Sequence, residues 1–231
     1  FLPGMKAILD AAERECDADG LVGAPRGSWN FYDWGFEFND ISFRDQRESM
    51  FNYLYIIALD RFIRLAELVG NEFDLAELEQ RRQRVAGAVE KRFILPNSGY
   101  LGDPWTFYHR HLDGEVTPGT KSSQLAHALA LFSDAVTPAS RGRFATALAD
   151  DSLEMPDYYL HLFVLRMLAA TGQGETALQR IRKYWGKCLA TGAETIYEHG
   201  ICSFGTVAAA GGGSLCHGFA TAPIEFLQTV I

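Results

Sequence analysis

Long apolar runs, clustered cysteines, a basic block and a repeat of fixed length are all missing from these 231 residues, and each absence removes a class of protein. The most apolar long segment, Met50 to Val69, carries Asp60, Arg61, Arg64 and Glu67. It therefore falls short of the roughly 20 uninterrupted apolar residues that a membrane-spanning helix needs. Four cysteines, Cys16, Cys188, Cys202 and Cys216, are too few and too scattered for a disulfide framework. With no Cys-x-x-Cys pair they signal no zinc site. They read as reduced, partly buried thiols, which favours a cytoplasmic location; a periplasmic or secreted one follows if a signal segment precedes Phe1. Lys plus Arg number 21 against 29 for Asp plus Glu, a net charge of −8. An acidic chain without a Lys/Arg block has no electrostatic footprint for nucleic acid or an anionic membrane. No basic-then-apolar leader opens the chain, and no period of the solenoid type runs along it.

There is no initiator Met either. The chain begins Phe1-Leu2-Pro3 and ends inside the apolar stretch Phe226 to Ile231. Both ends read as cuts, so the expectation is one domain over 1–231, truncated at both termini. What is present is helical periodicity. From about Arg44 to Val69, Asp60, Arg64 and Glu67 make a polar stripe, with Leu54, Ile57, Leu65 and Leu68 expected on the buried side. A second helix is predicted from about Asp74 to Phe93, with Leu75, Leu78, Val85 and Val89 inward. Leu125, Ala128, Leu129 and Phe132 mark a third, Thr137-Pro138 opens a fourth to about Leu148, and Met155-Pro156 begins a fifth through Tyr159, Leu162, Phe163 and Met167. Glu175 to Trp185 is a sixth, and a last one follows Gly218. The links alternate short (Gly70 to Phe73, Thr171 to Gly174) and long (Asp19 to Phe43, Pro96 to Gly119, Thr191 to His217). This pattern predicts an all-α stack or ring of helical hairpins, with at most a short β-hairpin in a long link. Links longer than about 12 residues in a compact domain usually carry function.

Those long links hold the residues with chemistry. The first carries Trp29-Asn30-Phe31-Tyr32-Asp33-Trp34, the second Asp103-Pro104-Trp105 and His109, and the third Tyr197-Glu198-His199 followed by Gly211 to Gly218 with His217. Aromatics beside carboxylates suit a sugar: apolar C–H faces stack on rings, and hydroxyls bond Asp, Glu and His. Glycoside hydrolysis then needs two carboxyl groups, one to protonate the leaving oxygen and one to activate water or attack. Bland readings stand beside this one. Trp29 and Trp34 also fit as core plugs, Glu198 as a ligand to loop backbone, and His217 as capping support for the helix behind it. Glu194 reads as a solvent-facing residue. The glycines before His217 lack the Gly-Lys-Ser/Thr of a phosphate loop. His109, His111 and Asp113 have no further ligand at metal spacing, so no metal and no cofactor are expected.

The segment Ala169 to Glu198, ending Gly192-Ala193-Glu194-Thr195-Ile196-Tyr197-Glu198, resembles the Gly-Ala-Thr-Thr-(Ile/Leu)-Trp-Glu region of bacterial α-L-rhamnosidases of glycoside hydrolase family 78. Ser214-Leu215-Cys216-His217 is similar to that family's Ser-Leu-Asn-His stretch. Phe31-Tyr32-Asp33-Trp34 resembles its Phe-x-Asp-Trp motif, and Gly119 to Leu131 its Thr/Ser-Gln-x-Ala-x-Ala-Leu helix. The four occur in the family's order across nearly the whole chain. The resemblance implies an (α/α)6 six-hairpin toroid, an inverting mechanism, and a neutral, rhamnose-like sugar as the carbohydrate partner. Carried over by motif, Glu198 is the general base, and Asp33, Trp34 and His217 contact the sugar. Tyr197 stands where the family usually has Trp, and Glu194 where it has Thr, which implies an altered sugar pocket. Trp105 joins these as a further substrate-stacking residue.

The family's general acid lies in an Arg-x-Glu-Arg-type motif before the Asp-Trp segment. Arg44 to Glu48 is alike but follows it. The acid is therefore expected upstream of Phe1, with N-terminal hairpins missing, and the chain alone is not expected to turn over substrate. Other readings are an inactive carbohydrate-binding homologue, an all-α interaction scaffold, or another six-hairpin enzyme such as an unsaturated glucuronyl hydrolase. No arginine stands beside Asp33, Trp105 or Glu198, which favours a neutral sugar over a uronic acid.

Overall fold

The computed structural model describes residues 1–23, 47–70, 73–108, 116–190, 192, 194–197 and 216–230, with no account of the side chains of 104–108 and 116–119. Among them are eight α-helices: α1 (Leu2–Glu13), α2 (Ser49–Val69), α3 (Leu75–Phe93), α4 (Gln124–Phe132), α5 (Pro138–Leu148), α6 (His161–Ala170), α7 (Gly174–Ala190) and α8 (Ala222–Thr229). One antiparallel hairpin, β1 (Asp103–Tyr108) with β2 (Val116–Lys121), lies in the second long link. Its strands carry Pro104 and Pro118, tolerable because a two-stranded sheet has only edge strands.

Local chemistry sets the boundaries. The Asp74 carboxylate accepts from the Glu77 amide at 3.0 Å to open α3, and Ser123 Oγ accepts from the Ala126 amide at 3.1 Å to open α4. Pro138 follows Thr137 in the first turn of α5, where a missing N–H costs nothing. Gly172, at φ 81°, reverses the chain between α6 and α7 while the Gln173 amide bonds back to the Leu168 carbonyl at 2.7 Å.

Helix α2 packs on α4, α4 on α6 and α6 on α8, so alternate helices form one inner row. The intervening helices lie outside it: α3 against α2, α5 against α4, α7 against α6. Each inner helix leads through a short link into its outer partner, so the inner helices run in the same direction. α4 shows the inner character most fully. It has no charged residue, and every residue from Gln124 to Leu131 is buried, as a helix surrounded by others must be.

The predicted helices exist, but two predicted faces are rotated. On α2 the buried set is Met50, Asn52, Tyr53, Tyr55, Ile56, Leu59, Phe62 and Ala66, while Leu68 is 84% exposed and Leu65 also meets solvent. Aromatic residues, one amide and Leu59, rather than the four predicted residues, define the face. Tyr55 fits inside because its hydroxyl bonds the Glu13 carboxylate at 3.1 Å. Asn52 fits because its amide accepts from Val22 N–H at 2.8 Å and donates to the carbonyls of Val22 and Glu48 at 2.9 and 2.8 Å.

Helix α6 starts at His161, not at Met155. The chain at Glu154 is held in a bridge to Ser123, with the Gln124 amide on the Glu154 carbonyl at 2.8 Å. Pro156 then has no N–H to give to a helix. The buried residues of α6 are His161, Val164, Leu165 and Leu168; Tyr159 stands before the helix, half exposed.

Candidate active site

The long links enter the inner helices at their N-terminal ends, and direct bonds tie those ends together. The Asp103 carboxylate, at the start of β1, accepts from the Ser49 amide and, at 2.8 Å, from the Ser49 hydroxyl, which fixes the hairpin to the start of α2. Lys121, at the end of β2, pairs with Glu154 at 3.1 Å, and Glu154 is itself bonded to the start of α4. Asp103 is fully buried with Ser49 as its bonding partner, and burial pushes its pKa up to about 6. His127, behind the same region, accepts from Leu101 N–H through Nε2 at 2.9 Å, and its Nδ1 meets the Ser123 carbonyl at 2.7 Å. Those partners select the neutral ring with the proton on Nδ1. Burial holds its pKa down at about 4.

The third link is built on α7. Trp185 is almost fully buried and donates its indole N–H to the Ala220 carbonyl at 2.8 Å. Tyr158 stacks on the indole at 4.6 Å and His161 meets it edge-on at 5.6 Å. The Tyr158 hydroxyl donates to the Tyr184 carbonyl at 3.0 Å. Residues Gly218 to Ala220 form a single 3-10 turn before α8. His217 stands at its start with its carbonyl accepting from the Ala220 amide at 3.0 Å. Its side chain does not cap the turn, so the capping reading of this histidine fails.

The His217 amide donates to the Ile196 carbonyl at 2.8 Å. That bond brings together two segments about twenty residues apart in sequence. Tyr197 and His217, both half-buried, thereby become neighbours along the backbone pairing, and Glu198 is the residue after Tyr197. Glu194 is exposed as expected.

Of the other site residues, Asp33, Trp34 and Glu198 lie outside the described residues, as does Trp29. Trp105 occupies the third position of β1, paired with Gly119 across the hairpin; its side chain lies outside the description. His109, His111 and Asp113 also lie outside it. Among the described residues no three His, Cys, Asp or Glu side chains are grouped to hold a metal, and no helix is long and apolar enough to cross a membrane.

Sequence reasoning missed Trp185 as the anchor of Ala220, and it placed Tyr159 inside a helix. A lone tryptophan late in an amphipathic helix was the available signal for the first, since a buried indole needs an acceptor for its N–H.

The family model for the bacterial α-L-rhamnosidase six-hairpin glycosidase domain matches residues 2–231. No curated protein matches the chain. Two of the solved structures that share its fold are rhamnosidases. One is the family 78 rhamnosidase of Bacillus sp. GL1, 18% identical with a TM-score of 0.79, covering 100% of this chain and 23% of its own. The other is a rhamnosidase from Klebsiella oxytoca with rhamnose bound, 20% identical with a TM-score of 0.72, covering 98% of this chain and 41% of its own. The all-α hairpin ring is therefore that of six-hairpin rhamnosidase domains, and the chain spans less than half the length of either structure.

Proposed function

Because this chain belongs to the bacterial α-L-rhamnosidase six-hairpin glycosidase family, we propose that its full-length protein removes a terminal α-L-rhamnose, or a similar deoxy sugar, with inversion. Glu198 is the general base. It takes a proton from a water molecule whose oxygen attacks the anomeric carbon, while the leaving oxygen takes a proton from a second carboxyl group as the glycosidic bond breaks. That acid is assigned upstream of Phe1, since no Arg-x-Glu-Arg-type motif precedes Asp33-Trp34 here. Asp33 and His217 bond sugar hydroxyls; Trp34, Trp105 and Tyr197 offer rings to its apolar faces. Inverting carboxyl pairs stand about 6.5–9.5 Å apart to admit the water, so a base on a link and an acid from another hairpin suit the task.

The observation that carries this reading is the bond from the His217 amide to the Ile196 carbonyl, 2.8 Å. It joins the segment that ends in the proposed base to the histidine proposed to hold the sugar. A base must be ionised to accept the proton, and the donors assigned to favour the carboxylate are His199, next to it in sequence, and His217.

The test is hydrolysis of a chromogenic α-L-rhamnoside by the full-length protein beside its Glu198→Gln variant. Loss of a general base should slow the reaction by about 10²–10⁴-fold. An unchanged rate would remove Glu198 from the chemistry. No hydrolysis by the wild type would favour another sugar or an inactive carbohydrate-binding homologue.

A further inference from the structure

Two aromatic side chains beside the proposed sugar site are held out in water. Phe219 is 67% exposed and Tyr159 50% exposed. Their ring centres lie 5.2 Å apart with planes tilted by 40°, and Phe219 also meets the His217 ring edge-on at 5.2 Å. Neither ring hangs on a loose support. Phe219 sits between His217, whose amide is bonded to Ile196, and Ala220, whose carbonyl receives the Trp185 indole N–H. Tyr159 follows Tyr158, which is stacked on the same indole and bonded to the Tyr184 carbonyl. Trp185 thus fixes the backbone next to both rings. An apolar ring that a rigid turn keeps in water gains nothing for the fold, because burial is where such a ring stabilises.

We propose that Tyr159 and Phe219 form a stacking platform for a second pyranose ring, the neutral sugar unit to which the cleaved residue is attached. This rests on the rhamnosidase reading of His217 and Glu198. The Phe219 ring centre lies 5.2 Å from that of His217 and 5.2 Å from that of Tyr159, a step comparable to that between neighbouring rings of a disaccharide. With His217 on the terminal sugar, the next ring of the substrate falls over Phe219 and Tyr159. Its C–H face covers the rings, and the Tyr159 hydroxyl remains free to turn toward a sugar hydroxyl. The two rings together offer on the order of 200 Å², against about 800 Å² per partner for a stable protein interface, so a sugar ring fits the area and a protein does not.

The experiment compares binding of L-rhamnose with binding of a thio-linked α-L-rhamnosyl-(1→6)-glucose, which resists hydrolysis, by calorimetry on the full-length protein. The wild type should hold the disaccharide about tenfold more tightly, from the added apolar area covered. In the Tyr159→Ala/Phe219→Ala double variant the ratio of the two dissociation constants should fall to near one. Phe219→Tyr, which keeps the ring, should retain the preference, separating lost stacking from a disturbed turn. Equal binding of both sugars by the wild type overturns the platform and leaves the rhamnose reading standing, as does a preference that survives the double variant. Binding of neither sugar overturns the rhamnose reading, and the platform falls with it.

Discussion

Replacing Asp103 by Asn should stabilise the protein at neutral pH and leave it unchanged in acid. The carboxylate is buried at the start of β1 and accepts two bonds from Ser49. Those bonds favour the ionised form, but burial outweighs them and lifts the pKa from an ordinary 3.8 to about 6. An acid whose folded pKa is raised contributes stability in full below the unfolded value, and loses it as pH climbs through the folded one. The window is therefore about pH 4 to 6. Two pH units at about 1.4 kcal/mol each put the cost of carrying the charge at neutral pH at about 3 kcal/mol. Asparagine keeps the shape and never ionises. Its carbonyl accepts the Ser49 amide, and the Ser49 hydroxyl turns to accept from the new NH₂ group. The assay is urea denaturation of both proteins at pH 4.5 and pH 7.5. Because His127 and His161, with pKa values held at about 4 and about 3 by burial, destabilise both proteins equally as pH falls below 6.5, the difference between the curves isolates Asp103. A gap of about 2–3 kcal/mol at pH 7.5 that narrows to about 1 kcal/mol at pH 4.5 is expected. A gap independent of pH, or a variant less stable at pH 7.5, would refute the reasoning and show that the ionised carboxylate is fully compensated.

Tyr53→Phe should raise stability by about 1 kcal/mol, because the buried hydroxyl has no hydrogen-bond partner among the described residues and its desolvation is uncompensated; a loss in the same urea melt would mean the hydroxyl is bonded. Leu59→Ala should cost about 2–5 kcal/mol as a buried leucine, whereas Leu68→Ala should stay within about 0.5 kcal/mol; equal costs would refute the observed face of α2. Trp185→Phe keeps a ring for Tyr158 to stack on but leaves the Ala220 carbonyl unpaired, costing about 1–3 kcal/mol. If the anchor positions His217, the rhamnose dissociation constant rises about threefold to tenfold in the same variant; a stability loss with unchanged binding would confine Trp185 to packing.

How far the sequence reached depended on whether a residue's partner is local. Asp74 and Thr137-Pro138 were legible as helix starts because a capping carboxylate and a first-turn proline each act on the turn they open. Helix α1 went unseen because its partners are distant. Asp10 and Glu13 meet Arg81 and Arg84 of α3 at 2.8 and 2.5 Å, a pairing that no window on residues 2–13 contains. The face of α2 was misjudged for the same reason: which side is buried depends on Val22, Glu13 and Asp103, all outside the helix. The start of α6 was misplaced because the bridge from Glu154 to Ser123 competes with helix formation across some thirty residues of sequence.

The same distinction governs the site. Motif order marked Tyr197, Glu198 and His217, since the sequence segments themselves carry that signal, and the hydrogen bond from His217 to Ile196 joins two of those segments directly. What motif order could not carry is the support beneath them. An indole on α7 bonds the turn after His217 and stacks on the tyrosine before Tyr159, so one buried side chain sets the geometry of two segments that share no motif. The inner row supplies the rest of the arrangement. Because its helices run in one direction, every link from an outer helix returns to the same end, and short polar ties such as Asp103 to Ser49 and Lys121 to Glu154 suffice to hold the links there. Such a scaffold leaves residues on the links free to vary in sequence, and the departures at Glu194 and Tyr197 fall on the third link. Changes of sugar preference should therefore map to residues on the links, and changes of stability to the ties and the inner row.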